Sequence, residues 1–352
     1  MRIIHITNHF LPYAGGVQWS VLRTAEALAS RGHDVTVLTE TPAREGWRDD
    51  DLPFRVIRFR VPVWRPLTRL LYWRWMWTRR HMLRDADVLH FHDYTPLIHW
   101  FLPLRMLIRA PLYAITFHGY EHWPIRRRYR LLRSLAARLC TSRFAVGEYV
   151  RELYGHPVDE VYLGAPVHRR PVMPRTKAMR FGYAGRLEAD TDILQVAVAI
   201  AECCREHDVD AELDIAGDGT LRPRIEALGH TRFHVRVRGM MVDPEPVIRD
   251  ARWLIATGFL GILEGFTTGK PVLVPALNGI RRRYVRSIPD HRSVMTVAES
   301  QDELRAVMAG IFTGRMEEEL QRRADAALRF VSEQTWDNIA LMLEKHYRRE
   351  TA

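Results

Sequence analysis

One segment of the sequence combines a glycine-bearing helix start with a single carboxylate. Residues 254–275 read LIATGFLGILEGFTTGKPVLVP, which predicts a strand, a turn, a short helix and a second strand. Gly258 and Gly261 stand where this helix begins, and the free N–H groups of a helix start can hold an anion. Glu264 lies within the same helix, where its carboxylate can accept hydrogen bonds from sugar hydroxyls. Phosphate and hydroxyls together describe a nucleotide, so the segment predicts a nucleotide site.

Three further turns follow predicted strands. Gly15 and Gly16 open the first helix, where their backbone can approach a ligand closely, although a tight turn without a ligand is the alternative. Arg186 follows a later strand, where its guanidinium can clamp a diphosphate; a surface arginine in a turn is the alternative. Gly217 and Gly219 end another strand, and approach to a nucleobase and a purely structural turn both remain open.

Two histidines close strands of the first half. His118 ends one strand in the sequence Thr-Phe-His-Gly, and His92 ends another, directly before Asp93. The carboxyl ends of parallel strands lie at one edge of a sheet, where ligands of such folds bind. We expect His118 to contact the reacting group, with a structural histidine as the alternative.

An aromatic and basic segment spans residues 64–84, WRPLTRLLYWRWMWTRRHMLR. As a helix, it would present Trp73, Arg74, Trp77 and Arg80 to an acceptor or to the interface of an anionic membrane. Packing of the tryptophans between helices, with a solvated arginine face, is the alternative. Nucleic acid is not expected as a partner, because no nucleic-acid-binding motif accompanies the segment.

Charge divides the chain into unequal halves. The 352 residues carry a net charge of +10, of which residues 1–170 supply +11 through 26 arginines, no lysine and 15 acidic residues. Eight of the ten tryptophans also lie in this part, so we expect the two halves to bind different partners. A secretory signal pattern, a run long enough to span a membrane and metal-type cysteine spacing are all missing, which predicts a cytoplasmic protein.

Alternating strands and helices must position these residues. The pattern predicts strands at 1–7, 34–38, 54–59, 87–92, 112–117, 143–146 and 160–163, and then at 179–184, 211–216, 234–238, 253–256 and 272–275. It predicts helices at 17–32, 67–84, 96–108 and 125–139, then at 192–205, 221–228, 244–250 and 260–268, and from about 301 onward. This alternation indicates two doubly wound α/β domains with parallel sheets, and we expect their strand ends to face each other across a cleft.

The order and spacing of the segments resemble the retaining family 4 glycosyltransferases, which have the two-domain GT-B fold. The matching segments, over nearly the whole chain, are HITNHFLPYAGGVQ, FHGYE, AGRLEAD, AGDGTLRPRIEAL and EGFTTGKPVLVP. The resemblance implies an N-terminal acceptor domain at 1–165, a linker at 166–178 and a nucleotide-sugar domain at 179–330. The closing segment, 331–352, resembles the family's C-terminal helix, which crosses back to the first domain.

The resemblance further implies transfer of a hexose-type sugar from a nucleotide-diphosphate donor to a glycan, lipid-linked or other cell-envelope acceptor. Transfer would retain the anomeric configuration without metal or other cofactor, in the cytoplasm or peripherally at the inner face of the membrane. His118 would lie near the transferred sugar, Glu264 would grip the ribose, and Arg186 would contact the diphosphate. The residues that would line the donor site are Gly15, Gly16, Arg186, Gly217, Gly219, Thr257, Gly258, Phe259, Leu260, Gly261, Ile262 and Glu264.

Two positions depart from the family pattern. Ala256, or Thr257 if one residue is deleted, stands where the first glutamate of the family's E-x7-E motif is expected. Thr191 stands where the family usually has a lysine after Gly-Arg-Leu. These departures keep open a catalytically degenerate GT-B scaffold that binds a partner. A GT-B epimerase or phosphorylase is disfavoured by the order of the motifs.

Overall fold

The computed structural model describes residues 1–12, 15–41, 48–59, 68–121, 124–166, 178–241 and 243–351. The chain forms two compact units. Unit 1 consists of residues 1–164 together with 335–352, and unit 2 consists of residues 165–334. The predicted linker at 166–178 lies almost wholly outside the described residues, because these omit 167–177.

Unit 1 contains a parallel sheet. Among its described residues the sheet has seven strands, in the order β3-β2-β1-β4-β5-β6-β7. The strands are β1 (Arg2–Thr7), β2 (Asp34–Thr39), β3 (Arg55–Arg58), β4 (Val88–His92), β5 (Leu112–Phe117), β6 (Ser142–Val146) and β7 (Glu160–Tyr162). Every residue of β4 and β5 is buried, as expected for central strands of a sheet covered on both faces.

The helices of the first half connect these strands. They are α1 (Gly16–Ser30), α2 (Thr68–Thr78), α3 (Arg80–Arg84), α4 (Arg127–Leu139) and α5 (Glu148–Tyr154). Two expectations were wrong here. The helix predicted at 67–84 breaks at Arg79, and the one predicted at 96–108 is a π-helical turn (Pro96–Phe101) followed by a 3-10 turn (Leu102–Leu104). Pro103 lacks an N–H group and cannot continue a regular α-helix.

Unit 2 contains the second parallel sheet, with the order β10-β9-β8-β11-β12-β13. Its strands are β8 (Met179–Ala184), β9 (Ala211–Ala216), β10 (Phe233–Val237), β11 (Trp253–Ile255), β12 (Val272–Pro275) and β13 (Thr296–Ala298). Its helices are α6 (Ile193–His207), α7 (Arg222–Glu226), α8 (Glu245–Asp250), α9 (Phe259–Phe266), α10 (Gly279–Arg286), α11 (His291–Val294), α12 (Gln301–Phe312) and α13 (Glu317–Ser332).

The last helix, α14 (Trp336–Thr351), belongs to unit 1. It packs against α1, where Arg31 pairs with Glu344 at 3.0 Å and with Asp337 at 3.2 Å. Tyr347 on its inner face is fully buried, and its hydroxyl lies 2.6 Å from Nδ1 of His90 on β4. The hydrophobic core of unit 1 therefore includes residues from both ends of the chain.

Each sheet has one point at which the strand order reverses. In unit 1 the chain adds β2 and β3 on one side of β1 and then returns to place β4 on the other side. In unit 2 the same reversal lies between β8 and β11. A crevice opens beyond the carboxyl ends of the two strands at such a point, and ligands of open α/β sheets bind there.

Candidate functional site

Hydrogen bonds join the loops at the switch point of unit 2. The hydroxyl of Tyr183, on β8, donates to the carbonyl of Arg186 at 2.8 Å and lies 3.1 Å from Oγ1 of Thr257, which follows β11. The loop after β8 is thus bonded to Thr257, two residues before the first residue of α9. This fixed geometry positions the candidate phosphate-binding helix start relative to Arg186.

The start of α9 is bare. Within the described residues, a Cβ atom added at Gly258 or at Gly261 would meet no heavy atom within 4 Å, and no side chain caps the helix start. Gly258 has φ of −102°, so left-handed backbone does not explain the glycine either. Ile262 is bonded back to the carbonyl of Gly258 at 2.9 Å, which closes the first turn. The missing side chains leave room for an anion at the helix start.

Arg186 reaches into solvent beside this helix start. Its side chain is 63% exposed, and its Nη2 lies 3.0 Å from Oδ2 of Asp190. A second guanidinium, that of Arg281 on α10, approaches the same oxygen at 3.1 Å but is buried. Arg281 also donates to the carbonyls of Asp190, at 2.7 Å, and of Thr257. Sequence reasoning missed Arg281, which lies in an Arg-Arg-Arg run that reads as an exposed charged surface.

The glycines after β9 have a packing role. A Cβ atom at Gly217 would lie 1.8 Å from the carbonyl oxygen of Gly185, and one at Gly219 would lie 2.4 Å from that of Leu187. Gly219 also has φ of +156°, a conformation that side chains disfavour. These contacts favour the structural turn, while nucleobase binding by the two glycines stays a prediction.

In unit 1, three buried imidazoles form a hydrogen-bonded row. Nδ1 of His5, on β1, lies 2.9 Å from Nε2 of His92, on β4. Nδ1 of His92 lies 3.0 Å from Nε2 of His118, which follows β5. Burial lowers the pKa of His5 and of His118 to about 3, so both imidazoles are neutral near pH 7. The row ends at the residue predicted to meet the transferred sugar.

The buried Arg133 holds the loop around His118 through hydrogen bonds and ion pairs. Arg133 pairs with Asp93 at 3.0 Å and with Glu121 at 3.1 Å, and its Nη2 donates to the carbonyl of His118 at 3.3 Å. Asp93 also accepts from the backbone N–H of His118 at 3.3 Å. Burial raises the pKa of Asp93 to about 6 although Arg133 opposes the shift. The loop is therefore held from two sides.

The first glycine turn also lies at a switch point. Gly15 precedes α1 with φ of −178°, ordinary extended backbone, and its carbonyl accepts from the N–H of Trp19 at 3.0 Å. A Cβ atom at Gly16 would meet nothing within 4 Å. The described residues therefore place no packing requirement on Gly16.

The N-terminal part of the chain matches a family of known proteins. Residues 14–165 match the profile of Glycosyltransferase Family 4. The chain carries a glycosyltransferase family 4 domain. No curated protein matches the chain. The predicted likeness to glycosyltransferase family 4 is confirmed for residues 14–165.

Solved structures confirm the GT-B fold over the whole chain. HepE from Anabaena, solved with UDP and glucose, has 16% identity and a TM-score of 0.74, covering 98% of this chain and 99% of its own. Sucrose-phosphate synthase from Thermosynechococcus elongatus has 17% identity, a TM-score of 0.73 and 99% coverage of both chains. WaaG, involved in lipopolysaccharide biosynthesis, has 17% identity, a TM-score of 0.64, and coverage of 99% and 100%. The family match of residues 14–165 and the fold of the whole chain both correspond to GT-B glycosyltransferases.

The side chains at the two positions that depart from the family pattern are apolar or neutral. Ala256 and Thr257 are both buried, and the hydroxyl of Thr257 is bonded to Tyr183. Thr191 is buried and donates to the carbonyl of Glu188 at 2.7 Å. Neither position supplies the carboxylate or the ammonium group that the family pattern would place there.

The lysine of the Gly-Lys-Pro segment has a structural role. Nζ of the buried Lys270 donates to the carbonyls of Ile248 at 2.8 Å, Arg249 at 2.6 Å and Ala251 at 2.6 Å. These carbonyls end α8, where a helix leaves its last acceptors unsatisfied. Glu264, on α9, is half-buried. The motif thus combines a carboxylate on α9 with a lysine that caps α8.

Two polar residues at the carboxyl edge of unit 1 were not predicted. Asn8, after β1, donates to Oε1 of Glu40 at 3.2 Å, and Glu40, after β2, accepts a hydrogen bond from the hydroxyl of Tyr72 on α2. Burial raises the pKa of Glu40 to about 6. Asn and Glu singly after strands gave no distinctive sequence signal, because each is also common in turns.

The aromatic and basic segment divides between core and surface. Trp73 is half-buried and donates to the carbonyl of His99 at 3.0 Å, whereas Arg74 is exposed. Trp77 is 39% exposed and lies 5.0 Å from the guanidinium of Arg80. Neither of the two predicted arrangements describes the whole segment. Among the described helices, none is long and apolar enough to cross a bilayer.

Two groups of side chains in the described residues could approach a metal ion. One consists of His5, His90 and His92, all buried, and the other of Cys203, Glu206 and His207 on α6. In the first group every ring nitrogen except Nε2 of His5 already has a hydrogen-bond partner. In the second group, burial raises the pKa of Cys203 to about 11, which disfavours the thiolate. Neither group resembles a prepared metal site.

Proposed function

We propose that this glycosyltransferase moves a sugar from a nucleotide-diphosphate donor, bound by unit 2, to a glycan, lipid-linked or other cell-envelope acceptor, bound by unit 1. The observation that carries the proposal is the bare start of α9. Two glycines there have neither a packing role nor left-handed backbone, and they leave the helix start open to an anion.

The neighbouring groups suit the remainder of a nucleotide. Glu264 lies on the same helix and would accept hydrogen bonds from ribose hydroxyls. Arg186 is exposed beside the helix start and would neutralise the diphosphate. The structure of HepE with UDP and glucose supports this assignment by analogy of fold.

The proposed transfer retains anomeric configuration and uses no metal. The leaving phosphate would take the proton of the acceptor hydroxyl on the face from which it departs, while Arg186 and the N–H groups of α9 balance its charge. His118 would hydrogen-bond to the transferred sugar. Because Ala256 and Thr257 offer no carboxylate to the donor sugar, most of the contacts to the donor would be made with its nucleotide part.

Calorimetric titration with UDP, GDP, ADP and TDP tests the donor site. One nucleotide should bind saturably, and Glu264→Ala or Arg186→Ala should weaken that binding about tenfold or more, the loss expected for a charge-assisted hydrogen bond. Glu318→Ala and Arg322→Ala, on the exposed face of α13, are matched controls that should bind normally. Lack of binding to all four nucleotides would overturn the proposal.

For the acceptor side, we propose contact with an anionic membrane surface. On α4, Leu131 is 71% and Leu135 43% exposed, and arginines flank them on the same helix. Apolar side chains between cationic ones suit an interface with acidic lipids. The likeness to WaaG, involved in lipopolysaccharide biosynthesis, supports an envelope acceptor.

Vesicle co-sedimentation tests this contact. Binding should require anionic lipid, fall as salt rises, and decrease in Leu131→Glu but not in Leu341→Glu, an equally apolar exposed position on α14. Equal sedimentation with neutral and anionic vesicles would contradict the proposal.

A degenerate GT-B scaffold is the second candidate, favoured by the missing carboxylate at Ala256 and Thr257. It predicts nucleotide binding without turnover. Chromatography can detect free sugar or nucleoside diphosphate released from a bound donor, and such release would reject the degenerate scaffold. Donor binding without release over hours would support it.

A further inference from the structure

In the row of imidazoles from His5 through His92 to His118, the nitrogen that carries hydrogen on one ring determines which nitrogen carries it on the others. Each neutral imidazole carries one N–H hydrogen, so every bond in the row needs a donor nitrogen facing an acceptor nitrogen. His92 uses both nitrogens, at 2.9 Å and 3.0 Å. It must therefore donate to one neighbour and accept from the other. The two hydrogen bonds are then donated either both towards His118 or both towards His5.

The buried end of the row selects the direction. Nε2 of His5 is enclosed and has no hydrogen-bond partner among the described residues. If donation runs from His5 towards His118, this atom is an acceptor without hydrogen. If donation runs from His118 towards His5, this atom carries the hydrogen and is an N–H donor. Among backbone groups, orphaned buried N–H donors are rarer than under-satisfied acceptors, and we extend this preference to the imidazole of His5. The row therefore runs with Nδ1–H of His5 donating to His92, and Nδ1–H of His92 donating to His118.

The other end of the row faces outward. With Nε2 of His118 accepting, its hydrogen lies on Nδ1. That Nδ1 has no partner in the described part of the chain, yet it is not one of the fully enclosed atoms that lack one. We infer that His5 and His92 are positioning residues that hold His118 as the tautomer with hydrogen on Nδ1, so that it donates to an oxygen of the substrate. Only the identity of that substrate, the transferred sugar, rests on the proposed function.

Nitrogen NMR of histidine-labelled protein tests the tautomer directly. The His118 signals, identified by their loss in His118→Asn, should show a protonated Nδ1 and a bare Nε2 in the unaltered protein. His5→Asn should keep this state, because the amide can still donate to His92. His5→Asp should invert it across two hydrogen bonds, because a carboxylate only accepts.

His90→Asn is the matched control. His90 is equally buried on β4, but its nitrogens bond to Tyr347 at 2.6 Å and to Thr116 at 2.8 Å, outside the row. The His118 signals should not change in this variant. A protonated Nε2 on His118 in the unaltered protein would overturn the inference, and this measurement needs only His118→Asn to fold, for identification of the signals. An unchanged tautomer in folded His5→Asp would overturn the relay from His5.

Kinetics separate a positioning role from a structural one. His5→Asp should lower kcat about tenfold, the loss of one hydrogen bond to the reacting sugar, with little change in the KM of the donor. His5→Asn should stay within about threefold, given the retained bond. If no donor is turned over, the spectra still decide the tautomer, while nucleotide binding separately decides the proposed function.

Zinc titration addresses the metal alternative for His5, His90 and His92. Only Nε2 of His5 lacks a partner among the nitrogens of these three residues. A metal would have to displace existing hydrogen bonds, so zinc chloride should leave the spectra unchanged. Stoichiometric binding that shifts all three residues would overturn the row as described.

Discussion

Replacing Arg281 by methionine should loosen the candidate donor site and unit 2 together. This guanidinium donates to the carbonyl of Asp190 at 2.7 Å, to its carboxylate at 3.1 Å, and to the carbonyl of Thr257. It thereby ties the loop after β8 to the residue preceding α9. Methionine fills a similar apolar volume but donates no hydrogen bond.

The expected cost follows from what each partner loses. The carboxylate of Asp190 keeps Arg186, and the carbonyl of Asp190 keeps the amide of Asn278 at 3.2 Å. The buried carbonyl of Thr257 loses its guanidinium partner. One unsatisfied buried acceptor costs about 1–3 kcal/mol, and the other lost bonds bring the total to about 2–4 kcal/mol. For a domain of this size, that corresponds to a Tm lower by roughly 4–16 °C.

Differential scanning calorimetry of Arg281→Met measures this change, with Arg283→Met as the control. Arg283 is exposed two residues along the same helix, so its replacement should change stability by less than about 0.5 kcal/mol. Nucleotide binding should weaken in Arg281→Met only, because Thr257 directly precedes the helix start. Equal melting of the two variants and the unaltered protein would refute the reasoning.

Three further predictions follow from glycine packing, buried histidine and the buried lysine. Gly217→Ala should destabilise unit 2 strongly, because its Cβ would lie 1.8 Å from a carbonyl oxygen. Gly258→Ala, where the Cβ meets no described atom within 4 Å, should be as stable as the unaltered protein. Equal urea midpoints for the two variants would contradict this prediction. Burial lowers the pKa of His5 to about 3, while unfolded histidine titrates near 6.5, so stability should fall as pH drops below 6.5 because the unfolded chain takes up more protons. In His5→Asn the slope of stability against pH should decrease by about 1.4 kcal/mol per pH unit, and unchanged slopes in urea titrations would count against it. Lys270→Met should cost about 3 kcal/mol because three carbonyls lose their donor, whereas the exposed Lys345→Met should cost little, as thermal melts can check.

Much of the fold was readable from local patterns. Apolar runs between turns predicted every strand of both sheets except β13 within a residue or two, because a buried parallel strand needs continuous apolar side chains. The strand β13 was missed since its Thr-Val-Ala sequence has no apolar run, and α10 was missed because its Arg-Arg-Arg run resembles exposed surface. Such elements are specified by what they pack against, not by their own periodicity.

The candidate site was only partly readable. Glycines and Glu264 around α9 form a contiguous segment, so sequence suffices to find them. The row of histidines joins residues 87 positions apart in sequence, and nothing local distinguishes His5 from any other residue of a buried strand. Likewise, which arginine of the run on α10 is buried depends on Asp190, far away in sequence.

The return of α14 to unit 1 has a consequence for biosynthesis. A ribosome releases residues 1–164 first, then the whole of unit 2, and only then the helix that brings Tyr347 to His90 and Glu344 to Arg31. Until that moment, the apolar surface of unit 1 that α14 covers stays exposed to water or to chaperones. Unit 2, being continuous, can fold while unit 1 is still incomplete. A premature stop codon in the last turns would therefore damage the half of the protein that was made first.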